Sequence, residues 1–311
     1  MSTTLITHSD CLKHAPDPTH PESPARIKAI LTALGATPDL HLIHEDAPLA
    51  TADDLMLCHP KEHVEKVLRL MPKKGRMKFD IDTSADAGTY NAAMRSVGGA
   101  MRAVDLVLKG ETDAAFVATR PPGHHATASK IMGFCFFGNV AIAARHALER
   151  HGLSRVAIVD FDVHHANGTQ DLLWDEPRTL LVSSHQGGGF WPGSGHATEI
   201  GAHNNVLNIP LKNRSGGLDM RDAYETTVFP RLEAFKPELL LISAGFDAHA
   251  FDAMSGLRWA TDDYAWITRR LLEVTRPFTS GKTVSCLEGG YDLPSLADSV
   301  AAHVTELARG E

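Results

Sequence analysis

The stretch VAIVDFDVHHANGTQ, Val156 to Gln170, decides how this chain is read. Its first four residues are apolar, the pattern of a parallel strand buried on both faces. The strand delivers Asp160, Asp162, His164 and His165 to the place where the chain must leave the sheet. Open α/β sheets bind ligands beyond the carboxyl ends of their strands, so chemistry is expected at this point. Four ionisable side chains together are costly unless compensated, and a bound cation is the simplest compensation.

Outward from this segment, short apolar runs alternate with amphipathic stretches. The runs predict strands at Thr4–Thr7, Ala115–Ala118, Arg155–Asp160, Thr179–Ser183, Val206–Ile209, Glu238–Ser243 and Thr283–Leu287, and His41 and His44 are expected to flank one more short strand. Helices are predicted over Pro24–Leu34, Pro60–Leu70, Gly88–Leu108, Asn139–His151, Met220–Phe235, Thr261–Thr275 and Leu293–Ala308. Ser23 before Pro24 reads as an N-cap, and Gly35 and Gly110 sit where helix stops belong. Such alternation indicates an α/β fold with a mostly parallel sheet covered on both faces. No linker, repeat or low-complexity tract interrupts residues 1–311, which read as one domain. The glycine-rich QGGGFWPGSG, Gln186–Gly195, is too irregular for a dinucleotide loop and reads as a loop with an aromatic wall.

With 43% hydrophobic and 22% charged residues, the chain has the make-up of a soluble globular protein with a substantial core. The net charge is −8 and its only basic cluster, KKGR at Lys73–Arg76, is short, so nucleic acid is not expected as a direct partner. No apolar run approaches the roughly 20 residues that span a bilayer, and no membrane partner is expected. The 4 cysteines, Cys11, Cys58, Cys135 and Cys286, lie far apart without a CxxC pair, which fits free thiols in a reducing cytoplasm rather than a disulfide framework.

Four strand ends carry polar residues that call for explanation. RPPGHHA brings His124 and His125, the opening segment brings Asp160 to His165, AGFDAH brings Asp247, and EGGYD brings Tyr291. Parallel strands end on one edge of the sheet, so these groups can converge. Asp162 and His164 are two apart and point to one face of an extended segment, and Asp247 completes a set of three suited to a divalent cation. Singly, such an Asp is more often a turn former and such a His a rim residue; convergence changes the odds. His124 and His125 suit general acid–base work, with Asp160 and Asn167 as orienting partners. Tyr291 can bring a phenolic donor to an oxyanion. His59 and His63 read as a solvated helix face, and Asp252, Asp262 and Asp263 as turn and cap residues.

RPPGHHA, GFCFFGNVAIAA, VDFDVHHANGTQ, SAGFDAH and EGGYD, in that order and spread over most of the chain, resemble the histone deacetylase family, including its class II-like bacterial deacetylase-like amidohydrolases and acetylpolyamine amidohydrolases. The resemblance implies an arginase-like α/β domain with a central eight-stranded parallel sheet flanked by helices. It implies one zinc ion per chain on Asp162, His164 and Asp247, with His125 as base and acid, His124 paired with Asp160 as electrostatic companion, and Tyr291 polarising the amide carbonyl. Phe134 and Trp191 resemble the walls of an acyl-lysine tunnel, Met254 its gatekeeper and Asp82 a rim residue; Gly133 and Gly290 belong to the same substrate-binding set. Backbone around Asp160, Asp162, His164, Ser183 and Ser184 resembles a structural potassium site, and Arg26 a residue lining an acetate channel. Asn167, where the family also has Asp, resembles the class II branch.

What this implies is a zinc-dependent amidohydrolase that removes acetyl or related acyl groups from acylated amines, with an acylated lysine peptide or a small acylated amine as partner. Acetyl-lysine side chains are the expected substrate, acetylpolyamines an alternative, and a non-catalytic acyl-lysine binder a reading of another class. A magnesium phosphohydrolase with a DxD pattern leaves the His pair and Asp247 unused. A binuclear ureohydrolase needs further ligands that the sequence does not place. Homo-oligomerisation stays open.

Overall fold

The structure, a computed structural model, describes residues 2–309. The chain runs through β1 (Thr3–Thr7), α1 (Pro24–Ala36), β2 (Ile43–Asp46), the short α2 (Ala52–Leu55) and α3 (Lys61–Leu70). A small antiparallel pair follows, β3 (Arg76–Lys78) with β4 (Ser84–Asp86). Next come α4 (Thr89–Lys109), β5 (Ala114–Val117), α5 (Asn139–Arg150), β6 (Val156–Asp160), α6 (Asn167–Leu173), β7 (Thr179–Gln186) and β8 (Val206–Leu211). The last third holds α7 (Gly217–Ala223), a π turn (Tyr224–Val228), α8 (Phe229–Phe235), β9 (Leu239–Ala244), α9 (Thr261–Thr279), β10 (Thr283–Leu287) and α10 (Leu293–Arg309).

Eight strands form one parallel sheet in the order β2-β1-β5-β10-β9-β6-β7-β8. Alternate side chains feed two cores, as a period of two requires. Leu5, Phe116, Val159 and Ile242 pack on one face under α1, α9 and α10, through Ile30, Ile267 and Val300. Ile6, Val117, Ile158 and Leu241 pack on the other under α4 and α5, through Val104 and Ala144. Because both faces are covered, β6 and β9 are buried at every residue.

The order explains why the site lies where it does. Beside β6 the chain turns back on itself: β7 and β8 extend to one side, while β9 and β10 return on the other. The four strands whose ends carry the polar residues, β5, β10, β9 and β6, are therefore consecutive neighbours. Their register sets Val117, Cys286, Ser243 and Asp160 in one line across the sheet. Everything that follows these positions leaves the sheet along the same edge.

Some local expectations differ from the structure. The helix predicted over Met220–Phe235 begins earlier and is broken by the π turn, next to Pro230, which has no N–H to continue an ordinary ladder. α1 continues through Gly35 to Ala36, whereas Gly110 does end α4 with a left-handed φ of 72°. Ser23 occupies the N-cap of α1 but its hydroxyl makes no capping bond. His44 lies within β2 rather than beside it; this edge strand, IHED, carries too little apolar signal to be read from sequence. His59 and His63 are not solvated. Both rings are buried and stacked, and His59 Nε2 accepts the Gly138 N–H at 3.0 Å.

Candidate active site

β6 ends at Asp160, and the next four residues are fixed by hydrogen bonds to the carboxylates among them. Asp160 Oδ1 accepts the Asp162 N–H (3.0 Å), and Asp162 Oδ1 accepts the His164 N–H (2.9 Å). From the end of β9, Asp247 Oδ1 reaches across to accept the Val163 N–H (2.9 Å). His164 Nδ1 then stands 3.0 Å from Asp162 Oδ1 and 3.1 Å from Asp247 Oδ2. The three ligand-type atoms of Asp162, His164 and Asp247 lie within 4.8 Å of one another. Asp247 Oδ2 is buried and, although His164 Nδ1 is near, accepts no well-aligned hydrogen bond, a costly state for a carboxylate oxygen unless something else is coordinated there. Burial and the adjacent Asp162 charge push Asp247 up to about 6. Two carboxylates facing one imidazole leave an excess of negative charge, which a divalent cation would neutralise.

Glycines let the strand ends come this close. A Cβ on Gly289 would fall 2.5 Å from Asp162 Oδ2 and nearer still to Asp247 Oδ2, so only hydrogen fits. The Gly289 N–H meanwhile donates to Asp162 Oδ2 at 2.8 Å.

The two histidines after β5 have different surroundings. His124 Nδ1 is 3.0 Å from Asp160 Oδ2, and its Nε2 is 3.8 Å from Asp162 Oδ2. Burial opposes a charge on this ring, but Asp162, Asp160 and Glu288 outweigh it and hold His124 well above the usual imidazole range. His125 Nδ1 instead meets the neutral amide of Asn167, 2.7 Å from Oδ1. Burial, with the nearby His124 and His164 rings, holds His125 well below that range. One ring is therefore kept charged and the other neutral. The loop carrying them is clamped from two sides. Gly168 and Thr169 N–H at the start of α6 donate to His124 O (2.9 and 3.1 Å), and Gly123 N–H donates to Glu288 Oε2 (2.7 Å).

A cavity of about 360 Å³ opens onto this cluster. His125, His164 and Tyr291 border it, with Asp82, Gly133, Phe134, Trp191 and Met254 among its other walls. Ile81, 82% exposed, marks its outer end. Phe190, which the sequence did not single out, stacks on His164 at 5.3 Å and 20°, while Trp191 stands edge-on to His125 at 4.6 Å and 79°. Gly133 is required between them: a Cβ there would lie 2.5 Å from His125 Cδ2 and 2.6 Å from Trp191 Cη2. Phe134 adopts a left-handed φ of 68°, and its N–H is held by Thr83 Oγ1 at 2.9 Å. Such a conformation is uncommon for a bulky residue.

All the anticipated ligand and acid–base residues thus meet at one place. Gly290 does not line the cavity; it lies behind Tyr291 with φ 115°, its carbonyl accepting Arg26 Nε at 2.6 Å. His165 also turns away, its nitrogens taken by Ser194 (2.8 Å) and Gln170 (3.0 Å). Arg26 is fully buried, bonded to Glu22 (3.1 Å) and Glu288 O (2.5 Å), with its guanidinium 5.0 Å from the Tyr291 ring centroid.

Comparison with known proteins agrees with this geometry. The family model described as the histone deacetylase domain matches residues 20–307. The chain belongs to the histone deacetylase family. A histone deacetylase-like amidohydrolase from Pseudomonas aeruginosa is 37% identical over 274 residues, covering 87% of this chain and 71% of that protein. An uncharacterized protein from Synechocystis is 43% identical over 302 residues, 95% of this chain and 96% of its own length. The crystal structure of the HDA15 HD domain superposes with a TM-score of 0.92 at 32% identity, over 99% of this chain and 88% of that one. The chain is accordingly a hydrolase acting on amides, with the α/β fold of deacetylases. Among the described residues, no helix is long and apolar enough to cross a membrane.

Two supporting carboxylates of this deacetylase-family chain escaped the sequence reading. Glu288 is fully buried under the histidine loop, where burial pushes it up to about 7, and Ser243 Oγ donates to it at 2.9 Å. Asp252, read as a turn former, holds the Tyr291 loop. The signal for Glu288 was present in EGGYD, an acidic residue closing an apolar strand.

Proposed function

We propose that Asp162, His164 and Asp247 hold one zinc ion and that the chain hydrolyses acylated amines, with acetyl-lysine side chains as the preferred class. The observation that carries this reading is the orphaned Asp247 Oδ2 beside His164, at the closed end of a cavity that His125 and Tyr291 also border. Donors of two carboxylates and one imidazole fit a catalytic zinc with an open position, which supplies Lewis acidity toward an amide carbonyl and toward water.

The chain's own groups account for the rest. Asn167 Oδ1 accepts from Nδ1 of His125, which fixes the tautomer and leaves Nε2 as the basic nitrogen. His125, held neutral, takes a proton from the attacking water and returns it to the departing amine nitrogen, so amide and water give carboxylate and amine. The Tyr291 hydroxyl donates to the carbonyl oxygen as charge builds on it. His124, charged between Asp160 and Asp162, stabilises negative charge without moving a proton. Phe134, Phe190 and Trp191 suit an alkyl stem in an apolar slot, and Met254 offers no charge to a second ammonium, which favours lysine over a polyamine. The potassium site implied by the resemblance is not part of this reading. The free thiols of Cys11, Cys58, Cys135 and Cys286 support a reducing compartment such as the cytoplasm.

The test is kcat/KM for acetyl-lysine peptide, trifluoroacetyl-lysine peptide and acetylputrescine, before and after chelation and zinc return. The expected result is preference for a lysine peptide, loss with chelator and recovery with zinc. Preference for acetylputrescine replaces the substrate class, and no turnover of any of the three after zinc return overturns catalysis in favour of a binder.

A further inference from the structure

A second group of metal-ligating side chains lies on the sheet face covered by α4 and α5. Asp105 belongs to the last turns of α4, His146 to α5, and His151 is the residue that caps α5. His146 Nε2 and His151 Nε2 both point at the same atom, Asp105 Oδ1, each at 2.7 Å. The imidazole rings meet edge to face, with centroids 5.3 Å apart. All three ligand atoms lie within 4.8 Å of one another.

We propose that Asp105, His146 and His151 form a second site, which binds a divalent transition-metal ion of the zinc class and ties the end of α4 to the end of α5. Two imidazoles and a carboxylate are borderline donors suited to zinc, nickel or cobalt rather than to magnesium or calcium. Metal–ligand bonds of about 2.0–2.2 Å at tetrahedral angles separate ligand atoms by about 3.4 Å, so the 2.7 Å contacts need open only slightly. His151 and Asp105 have the freedom to do so, with side chains 19% and 27% exposed. The same exposure gives an ion its entry path and leaves a coordination position for water. His146 is the more buried member; its Nδ1 has no hydrogen-bond partner, so only the Nε2 contact orients the ring.

This site is separate from the catalytic one. α5 begins at Asn139, whose side chain donates to Pro121 O beneath the histidine loop, and ends at the His151 cap. At about 1.5 Å per residue, His146 and His151 lie about 10 and 18 Å beyond Asn139 along the helix. Sequence spacing hides the site, since His146 and His151 are five apart and Asp105 comes from another helix.

The test counts metal on the full-length protein. Chelator-stripped wild type, His151→Ala, Asp105→Asn and Asp247→Asn are titrated with Zn²⁺ by calorimetry and, in parallel, with Co²⁺ by visible absorption. Wild type is expected to take two equivalents, each single variant one, and His151→Ala with Asp247→Asn none, with kcat unchanged in His151→Ala supplied with zinc. The thermal midpoint of Asp247→Asn is expected to rise on adding Zn²⁺, and that rise to vanish when His151→Ala is added. Equal stoichiometry in wild type and His151→Ala, or no midpoint shift in Asp247→Asn, overturns the site and leaves a carboxylate that merely accepts two hydrogen bonds. Failure of the catalytic reading would appear separately, as absent turnover with the second equivalent intact.

Discussion

Asp252 accepts the backbone N–H of Tyr291 at 2.6 Å. The same oxygen accepts the Asp292 N–H at 3.1 Å, and the other oxygen accepts the Met254 N–H at 2.9 Å. One buried carboxylate thus fixes both the segment that carries Tyr291 and the segment that carries Met254. Tyr291 needs such an anchor because Gly290, just before it, has φ 115° and belongs to no strand ladder.

Tyr291→Phe is expected to lower kcat by about 10²–10³-fold, the loss of one oxyanion donor. Asp252→Ala should lower kcat about tenfold or more by misplacing the phenol, and should add little in the Tyr291→Phe background, since groups acting as a unit are not additive. A double-mutant cycle on kcat reads this. Full additivity would show that Asp252 does not act through Tyr291.

Gly289→Ala should leave the fold in place yet abolish activity, because the added methyl overlaps Asp162 Oδ2 and Asp247 Oδ2. Zinc content after dialysis is the discriminating measurement. Retention of a full catalytic equivalent would show that the carboxylates can move apart without losing the ion.

What could be read from sequence, and what could not, follows from the range of the interactions. β5, β6, β9 and β10 were legible because unbroken apolar runs have few other uses, and their convergence followed from parallel pairing alone. The strand order was not legible, because register across β5-β10-β9-β6 is set between residues far apart in sequence, such as Thr283 with Ala114 and Val156 with Leu239. α6 was missed because Asn167–Gly168 reads as a turn, whereas Gly168 is there so that the backbone of His125 and Ala126 can pass within contact distance. Phe190 and Trp191 are adjacent in an irregular loop, and only the three-dimensional path shows that Phe190 stacks on His164 while Trp191 stands edge-on to both His125 and His164. His59 misled for the opposite reason: a polar side chain on an amphipathic stretch can be buried when a single backbone N–H needs it.

Asn167→Asp tests the assignment of the base. In the wild type, burial and the rings of His124 and His164 keep His125 well below the usual imidazole range, so the reactive neutral form persists into acid. A carboxylate at position 167 would favour the imidazolium and raise that value, moving the acid limb of the kcat/KM profile to higher pH by about one to three pH units. An unmoved acid limb in an active Asn167→Asp protein would mean that some other group takes the proton.

The structural ion pair beneath the Tyr291 loop should govern stability in acid. Glu22, 2% exposed, accepts Arg120 Nε on Oε1 (2.6 Å) and Nη2 on Oε2 (2.5 Å), and Arg26 Nη1 on Oε1 (3.1 Å). Burial favours the neutral acid, but Arg120 and Arg26 outweigh it and bring the carboxyl from 4.5 to about 2. Beside it, burial lowers His14 from 6.5 to about 4. Both folded values lie below the unfolded ones, so both contributions are complete above pH 6.5. His14's is lost as pH falls from 6.5 toward 4, and Glu22's as pH falls from 4.5 toward 2. The Glu22 part is on the order of 3 kcal/mol. Urea midpoints at pH 7, 5 and 3 should therefore fall step by step. Glu22→Gln should cost about 3–5 kcal/mol at pH 7, because it strands two buried guanidinium groups, and should flatten the remaining decline below pH 4.5. A wild-type midpoint that is constant from pH 7 to 3 would show that neither group titrates on unfolding as the buried pair requires.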